Sequence, residues 1–176
     1  ILPPPRSTLV WSSASSDVYK RQMHINEDLD TLSISNNTVY IPNGQYALHL
    51  SDVDPAPGYR ASVYNNLFNV PGSNSSVIGT GLYNVNDLDF YHNTIRLHNN
   101  SVSAFPFYHS GGSIDSVYNN IFANTANGPA IYTNSNFLNH YDYNNYHTHG
   151  SVCLLYTSHA ADERSSIKLG DSRLIK

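Results

Sequence analysis

The sequence predicts an all-β solenoid, a fold in which short strands joined by bends form coils that stack on one another. Three observations predict it. A motif centred on Asn recurs along the chain, apolar residues alternate with polar ones on both sides of that Asn, and clusters of Gly, Pro, Asn and Ser separate the alternating segments. Repeats with a period of about 20–50 residues are typical of solenoids, because one coil cannot bury its apolar face without a neighbour.

The repeat is centred on an Asn in the segments SNNTVYI, YNNLFNV, YHNTIRL, YNNIF and YNNY. Its spacings are 29, 27, 27 and 25 residues, and the aligned members are Asn37, Asn66, Asn93, Asn120 and Asn145. Identical Asn side chains in stacked strands can hydrogen-bond to one another as a ladder. We therefore expect these five residues to form one structural column along the solenoid.

A strand is predicted before each of these Asn residues. The positions three and five residues before the Asn are apolar, while the positions between them are polar or Tyr, as on a strand with one buried face. The apolar side chains, which we expect to face the core, are Ile34, Val63, Phe90 and Val117 at the nearer position and Leu32, Ala61 and Leu88 at the farther one.

A second strand is predicted after each Asn, because the positions two and four residues later are also apolar. The buried positions change parity at the Asn, which predicts a sharp bend. Asn tolerates the left-handed backbone angles of such a bend best after Gly. His92 stands directly before Asn93, and we expect it to face inward, hydrogen-bonded within the stack. A weaker apolar segment follows each of the first four Asn residues and begins at Ala47, Val77, Ala104 and Ala130.

These motifs resemble those of right-handed parallel β-helix proteins of the pectate-lyase-like group. The NNT[IV] and NN[IL]F motifs, the coil length and the inward aliphatic alternation carry the resemblance, which covers roughly residues 32–146. It implies an all-β, single-stranded, right-handed parallel β-helix of about four to five coils. We expect this β-helix to be truncated at both ends.

The resemblance also implies an extracellular or cell-surface protein associated with carbohydrate, either as a polysaccharide-binding segment or as a polysaccharide lyase or glycoside hydrolase. Enzymes of this group use outward Asp and Arg or Lys side chains on one strand face, often with calcium. No catalytic motif of the group matches residue by residue, so the catalytic residues stay unassigned. Because one fold hosts many functions, the alternative is a structural or adhesive solenoid without catalytic activity.

The two ends of the chain differ from the repeat. Residues 17–22 (DVYKRQ) and 153–158 (CLLYTS) can be encoded by opposite strands of one DNA segment, which resembles the transposon end used to prepare sequencing libraries. We therefore interpret residues 1–22 and 153–176 as translated adapter sequence and residues 23–152 as a β-helix fragment of a longer parent chain. Flanks of this kind are set aside in predicting the fold.

Within residues 23–152 the charge is negative, since two Arg residues stand against nine Asp and Glu residues. Binding to nucleic acid requires clusters of Lys and Arg, so the composition excludes a nucleic-acid partner. No apolar run is long enough to span a bilayer, and membrane insertion is not expected. Polysaccharide is the partner class that the resemblance suggests.

Charged and aromatic residues are predicted to share one outward face of the first strand. The positions two, four and six residues before the Asn should face solvent. There we expect Arg60 beside Asp87, with Asp89 two residues further along and four Tyr rings in a column that ends at Tyr143. The candidate ligand-binding residues are Arg60, Asp87, Asp89, Tyr64, Tyr91 and Tyr118.

This face has two interpretations. Aromatic faces pack on sugar rings, and carboxylates beside an Arg can bind a sugar acid. Alternatively, stacked Tyr rings stabilise the solenoid by themselves, and Arg60 with Asp87 forms a surface ion pair worth under about 1 kcal/mol.

No metal site or other cofactor is evident, although the resemblance leaves calcium open. Calcium takes about six to eight oxygen ligands, and a single Asp-x-Asp pair supplies too few. His147 and His149 lack an evident third ligand. The three Asp-x-Asp pairs are Asp28 with Asp30, Asp52 with Asp54, and Asp87 with Asp89.

Overall fold

A computed structural model of the 176-residue chain describes residues 21–26, 31–71, 76–98, 101–125, 127–133, 138–149 and 154–156. Within these residues all regular structure is β-strand, and the strands are numbered β1 to β16 along the chain. They form three parallel sheets that the chain visits in turn, so each sheet receives every third strand. This arrangement confirms the predicted all-β parallel β-helix, with about four turns.

Sheet A contains six strands in the order β1 (Arg21–Asn26), β4 (Tyr46–Val53), β7 (Ile78–Val85), β10 (Phe105–Ser110), β13 (Ile131–Thr133) and β16 (Leu154–Tyr156). Sheet B contains five strands in the order β2 (Leu32–Ser35), β5 (Ala61–Tyr64), β8 (Leu88–Tyr91), β11 (Ile114–Tyr118) and β14 (Leu138–Asp142). Sheet C contains β3 (Thr38–Tyr40), β6 (Leu67–Val70), β9 (Thr94–Leu97), β12 (Ile121–Asn124) and β15 (Asn145–Thr148).

The core runs along the solenoid axis between the three sheets. Phe90 of sheet B, Phe107 of sheet A and Phe122 of sheet C are fully buried. Their rings meet at centroid distances of 5.2 Å between Phe90 and Phe107 and 5.3 Å between Phe107 and Phe122. These contacts therefore join the three sheets. Burial of each Phe contributes about 1.5–3 kcal/mol relative to an exposed side chain.

A ladder of Asn side chains follows the bend between sheets B and C. The side-chain Nδ2 of each member donates to the Oδ1 of the next, at 3.0 Å from Asn37 to Asn66, 2.9 Å from Asn66 to Asn93 and 3.2 Å from Asn93 to Asn120. The next acceptor is Asn144, at 3.0 Å from Asn120. The prediction of Asn145 as the fifth member is therefore wrong.

The last coil explains this error. Tyr118 pairs with Asp142, and Ile121 pairs with Asn145, so the coil is one residue shorter at this point than the letters YNN suggest. Tyr143 consequently occupies the bend, with φ of 57° and 85% of its surface exposed. It does not extend the Tyr column, and Asp142 takes that place.

The residue before each ladder Asn has a left-handed backbone, which makes the bend that the parity change predicts. Four other such residues share this geometry with Tyr143, and their φ values are 58° at Asn36, 53° at Asn65, 54° at His92 and 54° at Asn119. The expectation that His92 faces inward is wrong, because the left-handed bend leaves its side chain exposed. His92 is still bonded within the stack, since its Nε2 lies 3.1 Å from Asn119 Nδ2.

Candidate functional site

Two rows of outward side chains cross sheet B from coil to coil. Residues at equivalent places in adjacent parallel strands lie about 4.8 Å apart, so each row is continuous along the solenoid axis. The first row consists of Ser33, Ser62, Asp89, Ser116 and His140. The second row consists of Ser35, Tyr64, Tyr91, Tyr118 and Asp142.

Arg60 precedes β5 and reaches across two coils. Its Nε lies 2.9 Å from Asp89 Oδ2, and its Nη2 also forms an ion pair with Asp115. The Arg60 side chain is half exposed, whereas those of Asp89 and Asp115 are about three-quarters buried. One guanidinium therefore neutralises part of the charge of two partly desolvated carboxylates.

Asp87 does not take the place beside the guanidinium that the sequence predicts. Its backbone does lie next to that of Arg60, because the amide of Ala61 donates to the Asp87 carbonyl at 2.9 Å. However, Asp87 sits at a bend with φ of 48° and its side chain is exposed. The charged contacts of Arg60 are made instead with Asp89, one of the candidate residues, and with Asp115.

Sequence reasoning missed Asp115 because it lies in a β-bulge. Ile114 pairs with Leu88 and Ser116 pairs with Asp89, so Asp115 is an extra residue in β11. Bulges redirect side chains and are frequent next to functional sites. The sequence did carry a signal. Asp115 stands five residues before Asn120, a position at which the alternation predicts an inward apolar side chain.

The two carboxylates, the guanidinium and two neighbouring side chains line a polar groove on sheet B. Ser116 Oγ donates a hydrogen bond to Asp89, and the exposed His140 follows Ser116 in the same row. The groove residues are Arg60, Asp89, Asp115, Ser116 and His140. This surface can donate and accept hydrogen bonds, and the charges of its Arg and two Asp side chains sum to minus one.

The Tyr column lies directly beside the groove. The rings of Tyr64 and Tyr91 are parallel within 2° at 5.1 Å, and those of Tyr91 and Tyr118 are parallel within 4° at 5.1 Å. Both faces of the Tyr91 ring are therefore covered by its neighbours. The column presents ring edges and hydroxyl groups to a ligand, rather than the free aromatic faces that the sequence suggested.

The hydroxyl groups of the column lie in different environments. Hydrogen bonds from Ser35, and then from Ser33, lower the pKa of Tyr64. Burial raises the pKa of Tyr91, and the neighbouring Tyr118, Tyr64 and Asp89 raise it further. Tyr91 is thus a neutral hydroxyl at physiological pH that can both donate and accept a hydrogen bond.

Sheet A carries a second group of aromatic side chains, which the sequence did not single out. The hydroxyl oxygens of Tyr46 and Tyr83 lie 2.9 Å apart, and the rings of Tyr108 and Tyr132 stack at 4.8 Å. Gly81 lies among them, and a Cβ there would be 2.7 Å from the Tyr46 ring. These rings pack on one another and lack the mixture of both charge signs found on sheet B.

The described residues contain no group of three or more His, Cys, Asp or Glu side chains that could hold a metal ion. Asp52 accepts hydrogen bonds from Asn84 Nδ2 and Ser51 Oγ, both at 2.8 Å, and these bonds, with Asn84 first, lower its pKa. The rings of His147 and His149 lie 5.2 Å apart. The pair Asp28 and Asp30 lies outside the described residues.

Two further findings bear on the class of protein. In the described part of the chain, no helix has the length and apolar character needed to cross a membrane. No protein-family model matches this chain, and no curated protein or solved structure is significantly similar to it. The assignment to the parallel β-helix fold therefore rests on the strand register and the Asn ladder.

Proposed function

We propose that the outer face of sheet B binds an extended saccharide that lies along the solenoid axis. A single observation carries this proposal. The polar groove and the Tyr column lie side by side and both run from coil to coil along the solenoid axis. A polymer with a regular repeat can make similar contacts with successive coils. The protein would then be an extracellular or cell-surface β-helix segment that associates with carbohydrate.

The chemistry of the face suits sugar hydroxyl groups. Asp89 and Asp115 are hydrogen-bond acceptors, Ser116 and Tyr91 can donate or accept, and Arg60 supplies donors only. Hydrogen bonds to charged partners are about twice as strong as those between neutral groups. We propose binding rather than catalysis, because the same guanidinium contacts both carboxylates.

A purely structural role for the Tyr column is the second candidate. The observation in its favour is that Tyr64, Tyr91 and Tyr118 stack on one another, which stabilises the solenoid without any ligand. If the column is purely structural, Tyr91→Ala lowers the stability of the protein, and the parent protein does not bind saccharide.

Calorimetric titration separates the two candidates. The protein would be titrated with uncharged and uronic-acid tetrasaccharides, and the titrations repeated with Asp89→Asn and Tyr91→Ala. Tyr132→Ala is the matched control, because Tyr132 is also a stacked Tyr but lies on sheet A. The proposal expects binding that both sheet B variants weaken and the control retains.

The absence of binding in the parent protein would refute the proposed function. A large loss of thermal stability in Tyr91→Ala under the same conditions would then support the structural candidate. Circular dichroism of each variant shows whether lost binding reflects the site or the fold.

The pectate-lyase-like relationship and the adapter origin of residues 1–22 and 153–176 are also proposals. The parallel fold and the ladder support the first. The opposite-strand coding of residues 17–22 and 153–158 supports the second. Sequencing the parent reading frame from its DNA source would test both. Different residues in place of 1–22 and 153–176 would support the adapter origin, and the parent sequence could be compared with the pectate-lyase-like group.

A further inference from the structure

We infer that Asp115 determines specificity by occupying the guanidinium of Arg60, so that the sheet B face selects uncharged saccharides over uronic acids. This inference rests on the proposed function, because it concerns the ligand of the same surface. It reverses the sequence-based interpretation that an Arg beside carboxylates binds a sugar acid.

The groove has a single source of fixed positive charge. Among the five residues that line the groove, Arg60 alone carries a permanent positive charge. A uronic acid would need this guanidinium, since Arg binds carboxylates through paired N–H donors. Asp89 already contacts Nε and Nη2, at 2.9 Å and 3.3 Å, and Asp115 contacts Nη2.

The remaining charge also opposes an anionic ligand. Two carboxylates and one guanidinium give the groove a net charge of minus one. The exposed Asp142 adds a further carboxylate at the end of the adjacent Tyr column. Like charges within a Debye length of about 8–10 Å are incompletely screened at physiological salt. A polyuronate lying along the axis would therefore be repelled, whereas an uncharged saccharide would not.

The bulge makes Asp115 the decisive member of the pair. Asp89 lies in regular register between Ser62 and Ser116, and Ser116 also donates to it. Asp115 is the inserted residue, and only the bulge gives it access to the guanidinium. Its replacement by Asn retains the shape of the side chain, removes the charge and leaves part of the Arg60 donor set available to a ligand.

The test compares two tetrasaccharides of similar length, cellotetraose as the uncharged probe and tetragalacturonic acid as the uronic acid. Calorimetric titrations would use the full chain as parent, Asp115→Asn and Asp87→Asn. The last is the matched control, because it removes the same charge from the same face at a residue that has no described ion pair with Arg60. Asn also tolerates the left-handed backbone at position 87.

We expect the parent to bind cellotetraose more tightly than tetragalacturonic acid. In Asp115→Asn the affinity for the uronic acid should rise by about threefold to fivefold, the upper part of the range for a partly exposed ion pair, while the affinity for cellotetraose does not rise. Asp87→Asn should change neither by more than about twofold, because it makes no ion pair at the groove. The gain in Asp115→Asn should shrink at high salt.

Three results would overturn the inference. They are a parent that prefers the uronic acid, an Asp115→Asn variant whose preference is unchanged, and an Asp87→Asn variant that shifts preference equally. In each of these the proposed function survives. If neither saccharide binds to the parent or to the variants, although each variant melts like the parent, the proposed function fails. This inference then fails with it. Asp115→Ser is a second replacement if Asp115→Asn does not fold.

Discussion

At the scale of single residues, the buried Asn side chains hold the bend between sheets B and C. Asn93 is 1% exposed, its Nδ2 donates to the Val63 carbonyl at 2.8 Å, and its Oδ1 accepts from both the backbone and the side chain of Asn66. Every polar atom of this side chain is therefore satisfied by the neighbouring coils. A buried polar group that loses its partner costs about 1–3 kcal/mol.

We predict that Asn93→Ala lowers the free energy of unfolding by about 2–4 kcal/mol, because it leaves the buried Asn66 backbone N–H without its acceptor and removes the hydrogen bond to the Val63 carbonyl. Asn145→Ala is the control, since Asn145 is exposed and lies one residue past the ladder. It should change stability by less than about 0.5 kcal/mol. Urea denaturation measures both, and equal losses would contradict the ladder assignment.

His109 gives a residue-scale prediction about pH. It is fully buried, and burial lowers its pKa from 6.5 to about 4. As the pH falls, His109 therefore takes up a proton in the unfolded chain before it does so in the folded one. This difference has no effect on stability above about pH 6.5 and lowers the free energy of unfolding progressively from there down to about pH 4.

The expected cost between pH 7.5 and pH 4.5 is about 2–3 kcal/mol, by the conversion of a pKa difference into free energy. Leu50 and Leu82 occupy the paired positions in the preceding coils, so His109→Leu should fold and should lose less stability over this interval. Denaturant titrations at the two pH values would show it. Identical pH dependence in both proteins would exclude His109 as the cause.

At the scale of the strand, β11 differs from its neighbours by one inserted residue. Without Asp115 its sequence reads Ile-Ser-Val-Tyr, which matches the pattern of Ala61–Tyr64 in β5 and Leu88–Tyr91 in β8. The insertion is therefore not needed for strand pairing.

Deletion of Asp115 should restore regular register and change the free energy of unfolding by less than about 1 kcal/mol, because the surface ion pair that it removes is weak. Deletion of Ser62 is the control. It makes Ala61 and Val63 adjacent, so the two inward side chains of β5 can no longer both face the core. Circular dichroism and thermal melts would distinguish a folded first variant from an unfolded second one. The opposite order of stability would refute the bulge.

The same one-residue changes mark the limit of prediction from this sequence. Period and alternation were sufficient to predict the strands of sheets B and C, because burial repeats with the coil. They could not place Asn144, since a missing residue changes the pairing without changing the motif letters. The break in alternation at Asp115 signals an irregularity in the strand without showing that it is a bulge. The exact contacts of Arg60 were also beyond prediction, because its long side chain crosses two coils and depends on the bulge.

At the scale of the whole molecule, the described strands of each coil pair only with those of neighbouring coils, and the ion pair of Arg60 with Asp115 is a contact over a longer range. Stability should therefore be close to a sum of coil and interface contributions. Strands β8 and β9 pair on both sides, whereas β2 and β3 stand last in sheets B and C among the described strands. Phe90 is fully buried and meets Phe107 and Phe122, while Val39 in β3 is only partly buried.

We therefore predict graded hydrogen exchange, slowest in β8 and β9 and faster in β2 and β3, because terminal coils can open without the centre. Phe90→Ala should cost about 3–5 kcal/mol and accelerate exchange in both adjacent coils. Val39→Ala, the control, should accelerate exchange in its own coil and leave β9 protected. Exchange measured by mass spectrometry tests this prediction. Uniform protection that falls equally in both variants would show instead that the four turns unfold as one unit.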